Sequence, residues 1–183
     1  MNLFRSHIDL AHDFWKKVLQ PGDIAIDATC GNGNDSLFLA QLIAPTGQLH
    51  CIDLQKEAIE NTRSKLKFFL SNTHFYHGSH IVLPPVSPKI IVYNLGYLPG
   101  SDKSVTTMTA STLASIENAL QIIRPGGLIS ITCYPGHSEG AVEEKSISNF
   151  VSSISKNKYT STSIEWKNRL KSPSLIFIQR TCN

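Results

Sequence analysis

No apolar run in the 183-residue chain approaches the roughly 20 residues that cross a bilayer, so no membrane partner is expected. Cysteine is scarce: Cys30, Cys51, Cys133 and Cys182 form no CxxC pair, and no metal site is expected. The opening stretch from Met1 to His7 lacks the basic-then-apolar order of a signal peptide, and a reducing, cytoplasmic setting is the expectation. Charge is sparse too, at 17% of residues with a formal net charge of +3. That balance is compatible with nucleic acid and ordinary for a soluble enzyme, so it decides nothing. Internal repeats, linkers and low-complexity stretches are absent. With 41% hydrophobic residues, the chain predicts one domain over 1–183 with a core of its own.

What is present begins with Ile24-Ala25-Ile26-Asp27-Ala28-Thr29-Cys30-Gly31-Asn32-Gly33-Asn34-Asp35. A β-rich apolar run ends in a Gly-x-Gly turn, and Ser36 to Ala44 reads as helix, the strand, glycine loop and helix of a nucleotide-binding α/β domain. Gly31 and Gly33 let the backbone turn and approach a ligand, while free N–H groups at the helix start offer donors. About 20 residues on, Leu49 to Asp53 supplies a second strand that ends in an acid placed for both ribose hydroxyls. The third glycine of a dinucleotide fingerprint is missing, because Ser36 stands there, and Asp35 puts a carboxylate where a pyrophosphate would sit. A cationic, phosphate-free ligand suits the loop better. With Asp27 and Asp35 near the loop and Asp53 on the ribose, S-adenosylmethionine is favoured over a dinucleotide.

Before this unit, Phe4, Ile8, Ala11, Trp15 and Val18 recur at helical spacing, so residues 1–20 predict a helix packed on the sheet, stopped by Pro21-Gly22. His12 with Trp15 could reach over the cofactor mouth or be a surface histidine and a core tryptophan. After Asp53, Lys56 to Leu70 is an amphipathic crossover to a third strand, His74 to His77. Ser79 and His80 follow its carboxyl end, where they either touch the adenine or sit in solvent. Pro84, Pro85 and Pro88 leave little room for a helix before the next strand, Lys89 to Tyr93.

That strand runs into Asn94-Leu95-Gly96-Tyr97-Leu98-Pro99-Gly100, an amide at a strand's carboxyl end beside a glycine-rich turn. This is the expected chemical centre, the alternative being an Asn that turns a corner. A helix over Ser104 to Ile123 and a strand over Leu128 to Cys133 follow, then the loop Tyr134-Pro135-Gly136-His137-Ser138-Glu139-Gly140 and a helix from Ala141 to about Ile154. His137 either accepts a proton or binds substrate, or is a loop histidine. Cys133 invites comparison with the nucleophile of carbon-directed pyrimidine methyltransferases; with no second cysteine near Asn94, it reads as a buried strand residue. Two closing strands, Tyr159 to Trp166 and Ser174 to Gln179, predict an antiparallel hairpin whose basic tip, with Lys167, Arg169 and Lys171, is either a phosphate contact or a solvated turn.

Taken together, the loops at Asp27–Asp35, Asn94–Gly100 and Tyr134–Gly140 resemble the bacterial rRNA-methylase family, whose characterised members are the MnmM (YtqB-like) tRNA methyltransferases. The resemblance spans nearly the whole chain. It implies a class I S-adenosylmethionine-dependent methyltransferase fold, Rossmann-like, with a mostly parallel seven-stranded sheet, an antiparallel C-terminal hairpin strand and helices on both faces. The implied reaction is methylation of the amine of 5-aminomethyl-uridine, thiolated or not, at the wobble position in the tRNA anticodon loop. By motif, the resemblance assigns cofactor contacts to Asn32, Asn34, Asp53 and Gln55, and also to Asp35, Ser79 and His80. It assigns substrate contacts to Leu95, Gly96, Leu98, Pro99 and Gly100 beside Asn94, with Tyr97 stacking, and to Tyr134 and Gly136 beside His137. The chain departs from the family pattern at Ser101 and at Ser172-Pro173. A methyltransferase for another RNA, a small molecule or a protein amine shares the cofactor features. A dinucleotide oxidoreductase or a nucleotide-sensing module is the alternative of another class. A homodimer is left open.

Overall fold

The computed structural model describes residues 6–96, 108–169 and 171–182. Helix α1 (His7–Val18) starts at a reciprocal cap: the Ser6 hydroxyl accepts from the Asp9 N–H at 3.2 Å, and the Asp9 carboxylate accepts from the Ser6 N–H at 3.3 Å. Strand β1 (Ile24–Asp27), helix α2 (Asn34–Ile43), strand β2 (Gln48–Asp53), helix α3 (Lys56–Lys65) and strand β3 (Thr73–His77) follow. Then come β4 (Ile90–Asn94), α4 (Thr109–Ile122), β5 (Leu128–Cys133), α5 (Ser138–Ser153), β6 (Tyr159–Ile164) and β7 (Ser174–Arg180).

All seven strands form one sheet in the order β3-β2-β1-β4-β5-β7-β6. Strands β1 to β5 are parallel, and β7 runs antiparallel to both β5 and β6. The order reverses between β1 and β4, and in such sheets the crevice outside the carboxyl ends of those strands is where ligands bind. The strands alternate apolar residues between two cores. Ala25, Leu49, Cys51, Ile90 and Val92 pack with Trp15, Leu39 and Ile59 from α1, α2 and α3, whereas Ile26, Ile91, Tyr93, Ile129 and Ile131 pack with Ile116, Leu120 and Ile147 from α4 and α5. Trp15 is 2% exposed and its indole donates to Ser130 Oγ at 2.9 Å, which pins α1 to β5.

Several boundaries differ from expectation for local reasons. Helix α2 begins at Asn34, ahead of Ser36, because Gly33 takes φ +72 and caps it. Helix α3 stops at Lys65; the fully buried Leu66 leaves helical geometry, and a single 3-10 turn over Leu70–Asn72 leads into β3. Helix α5 begins at Ser138, three residues early, because His137 caps it. Strand β6 ends at Ile164, short of Trp166. The expected start of the fourth helix at Ser104 lies outside the described residues. The proline-rich link carries the chain from β3 to β4 without a helix.

Candidate active site

Strand β1 delivers Asp27 to the carboxyl edge, where it turns inward. It is fully buried and accepts from Ser36 Oγ at 2.5 Å and from the Thr29 N–H at 3.3 Å. Burial, reinforced by nearby Asp35, pushes its carboxyl up to about 7. Asp27 thereby ties the start of the loop to the first turn of α2. Gly33 is required twice over: its φ is positive, and a Cβ there would stand 2.8 Å from the Thr62 Cα. The Thr62 hydroxyl donates to the Gly31 carbonyl at 3.0 Å, so the loop rests on α3. Asn32 accepts from Asn61 at 3.2 Å and Asn34 accepts from the Lys65 ammonium, which turns both amides the same way. Asp53, at the end of β2, accepts from the Gly31 and Gln55 N–H groups, each at 2.9 Å. The glycine loop and the acid are therefore one hydrogen-bonded unit.

Beyond Asp53, Ser79 is exposed and accepts from the Ile81 N–H at 3.3 Å. His80 is half-buried, its ring edge-on to Tyr93 at 6.0 Å, and the Ser115 hydroxyl donates to its carbonyl at 2.6 Å. Burial lowers the His80 pKa against the opposing pull of Asp53, and its buried Nε2 has no hydrogen-bond partner among the described residues. A buried ring nitrogen without a partner, close enough to Asp53 to feel its charge, has donor or acceptor capacity to spare.

Asn94 ends β4 across the switch point. Its N–H donates to Thr29 Oγ1 at 2.7 Å, and its amide Nδ2 donates to Asp35 Oδ2 at 3.1 Å. The other oxygen of Asp35 meets His12 Nε2 at 2.9 Å, and the His12 ring stacks on Phe38 with centroids 3.8 Å apart. On β5's loop, the Tyr134 phenol lies 3.2 Å from His7 Nε2. Burial pushes that phenol up to about 12, Asp35 adds to the rise, and a hydrogen bond with the Asn94 side chain opposes it. Both histidines of α1 thus reach the cleft. Sequence reasoning weighed His12 but missed His7; their shared helix just ahead of β1 was the available sign.

Other predicted positions fall to either side. Leu95 is 2% exposed and packs in the α4–α5 core, its N–H donating to the Thr132 carbonyl at 3.0 Å. Gly96 takes φ +117 and turns the chain beside Tyr134. Tyr97, Leu98, Pro99 and Gly100 lie outside the described residues. His137 caps α5, its Nδ1 accepting from the Gly140 N–H at 3.1 Å, which places a neutral ring's proton on Nε2. Strand β7 starts opposite Cys133, so the hairpin tip with Lys167 and Arg169 shares the edge of the cleft. Lys167 pairs there with Glu165 at 3.1 Å, and the Arg169 guanidinium lies over Trp166 at 5.8 Å. Cys133 is buried and its thiol pKa is pushed up by burial, which removes the thiolate a nucleophile needs.

A family model described as "Putative rRNA methylase" matches residues 49–180. A relative from Arabidopsis thaliana, named tRNA (mnm(5)s(2)U34)-methyltransferase, chloroplastic, is 34% identical over 185 aligned residues, covering 93% of this chain and 68% of that protein. A crystal structure of a "putative rRNA-methylase" from Clostridium thermocellum superposes with a TM-score of 0.94 at 29% identity, covering 98% of this chain and all of that one. A "putative methyltransferase" from Streptococcus mutans, solved in complex with SAH, superposes at 0.86 with 32% identity, covering 97% and 99% of the two chains.

Proposed function

The chain belongs to the rRNA-methylase family, a group of class I S-adenosylmethionine-dependent methyltransferases, and from that premise we propose that it methylates the amine of 5-aminomethyl-(2-thio)uridine at the tRNA wobble position. The cofactor is S-adenosylmethionine. Bound, it supplies a sulfonium methyl as the electrophile. The residues present fit it at Asp53, which keeps acceptor capacity for ribose hydroxyls, and at His80, whose Nε2 has a ring nitrogen to offer an adenine; Asp27, turned inward to Ser36, and Asp35, taken up by Asn94 and His12, support the loop and the acceptor side instead. Membership of this family takes the place of the dinucleotide alternative.

The observation that carries the acceptor half is Asn94, an amide at the end of β4 whose NH2 faces Asp35. Its carbonyl oxygen is then the group that receives an amine N–H, aiming the nitrogen lone pair at the methyl. A primary alkylamine is mostly an ammonium at neutral pH, so the cleft must favour its neutral form by desolvation. Asn94 orients the amine and does not serve as the proton acceptor; Tyr97 is assigned to stack on the nucleobase, and the hairpin cations Lys167 and Arg169 to the phosphates. A wobble nucleotide sits in a single-stranded loop and can be splayed into such a pocket without breaking a duplex. The name of the Arabidopsis relative supports this substrate. We place the enzyme in the cytoplasm, in keeping with its four free cysteines; among the described residues no helix is long and apolar enough to cross a membrane.

The test is incubation of the purified protein with S-adenosylmethionine and tRNA bearing 5-aminomethyl-uridine, followed by digestion and nucleoside mass spectrometry. One added methyl on that nucleoside is expected. Its absence, with methyl gained by ribosomal RNA or by a protein amine in parallel reactions, overturns the substrate assignment and leaves the cofactor half standing.

A further inference from the structure

The hydrogen bonds around the cleft close on themselves through α1. His12 holds Asp35, Asp35 holds the Asn94 amide, Asn94 meets the Tyr134 phenol, and Tyr134 meets His7 one turn or so earlier on the same helix. We propose that Asp35, held by His12, is the orienting carboxylate of the acceptor site, fixing which end of the Asn94 amide faces the substrate amine. The proposal rests on Asn94 as the amine's receptor.

The argument is one of donors and acceptors. A carboxylate only accepts, so Asp35 Oδ2 at 3.1 Å selects the NH2 end of Asn94 and turns the carbonyl oxygen toward the cleft. In the opposite orientation the NH2 would donate into the nitrogen lone pair that must attack the methyl, and the nucleophile would be quenched. The backbone leaves this rotation as the remaining freedom, because the Asn94 N–H is held by Thr29 Oγ1 and the Leu95 N–H by the Thr132 carbonyl. Both oxygens of Asp35 are engaged, one by Asn94 and one by His12, at only 14% side-chain exposure. His12 is clamped in turn, stacked on Phe38 and 4.7 Å from the Trp15 ring, with Trp15 pinned to Ser130. A rigid chain of contacts therefore runs from the core to the amide. His12 is a positioning residue, two hydrogen bonds removed from the Asn94 amide.

Three variants test it: His12→Ala, His12→Gln, whose amide N–H can still reach a carboxylate, and Asp35→Ala. Three readouts are followed, namely the Asn94 side-chain amide signals in 15N–1H spectra of the protein without substrate, S-adenosylmethionine affinity by calorimetry, and steady-state kinetics on tRNA. Expected for His12→Ala and Asp35→Ala are Asn94 signals shifted toward those of a freely rotating amide, with cofactor affinity within about threefold of the parent. The same variants should lower kcat by about tenfold to a hundredfold, the scale of a misplaced reacting group, at little change in KM. His12→Gln should recover part of the rate. Unmoved Asn94 signals, or a loss of cofactor affinity in Asp35→Ala as large as its loss of rate, would overturn the assignment. Should the parent protein transfer no methyl to tRNA, the spectra still decide the orientation, and only the substrate reading falls.

Discussion

Two clusters in this protein are built from the same side chains, two histidines and a tyrosine, and they behave differently. His7, His12 and Tyr134 stand at the carboxyl edge of the sheet and connect to Asp35 and Asn94. His50, His74 and Tyr76 lie on β2 and β3, where His50 stacks on His74 at 4.8 Å and its Nδ1 meets the Tyr76 hydroxyl at 3.0 Å. No carboxylate is bonded to that second group in the described structure, and its His50 pKa is lowered to about 4 by burial and by His74. Where an imidazole finds an acid and an amide at the mouth of a switch point, it can hold a reacting group in place. Where it finds another imidazole on a strand, it fills space. Composition is the same; the partner and the edge decide.

The comparison is broken most directly at Asn94. Asn94→Ala should lower single-turnover methyl transfer by about a hundredfold or more while S-adenosylmethionine binding measured by calorimetry stays near that of the parent, since positioning supplies much of the rate. A variant with ordinary rate would leave the first cluster with nothing to orient. Next in size, Asp53→Ala should weaken cofactor binding by about tenfold or more, the loss expected for hydrogen bonds to a charged group. Equal affinity in the two proteins would remove Asp53 from the ribose.

Acid–base behaviour sharpens the contrast further. Asp27 titrates near 7 when folded and near its ordinary value when unfolded, so between those two points the folded state holds the extra proton. Its contribution favours folding below that window and is lost as pH rises through about 7. Thermal melts of Asp27→Asn should therefore lie close to the parent near pH 5, where the parent's carboxyl is protonated, and gain on it near pH 8, where it is ionised. A gain that is the same at both pH values would contradict the raised carboxyl. The smallest effect belongs to the second cluster. His50, neutral when folded, contributes stability above its unfolded pKa near 6.5 that disappears as pH falls toward about 4. His50→Leu should flatten that acid limb in melting curves and leave methyl transfer untouched; a transfer defect would erase the distinction between the clusters.

Much of the architecture was legible because it follows from local chemistry. The Gly31–Gly33 turn needs positive φ, the 2-residue alternation of β1, β2, β4 and β5 sorts side chains between two cores, and Pro84, Pro85 and Pro88 exclude a helix. Asp53 was legible by its spacing from the loop. The relay was not, because its members are joined only by packing: His12 and Asp35 are on different helices, and His7 and Tyr134 are 127 residues apart. Nor does any local pattern say that Asp27 would turn inward to Ser36, or that His137 would close a helix end. The end of α3 was missed for a related reason, since Phe69 and Leu70 continue its apolar face in sequence after the backbone has left the helix.

The indole of Trp15, buried and bonded to Ser130, also makes the protein its own optical instrument. The chain holds two tryptophans, so replacing Trp166 by Phe leaves a single indole, excited apart from the tyrosines at the red edge of absorption, on the helix that closes the ring around the cleft. Its emission stays blue while that helix is seated and moves red when water reaches it. Unseating of that helix from the sheet then becomes something that can be watched in time as a colour.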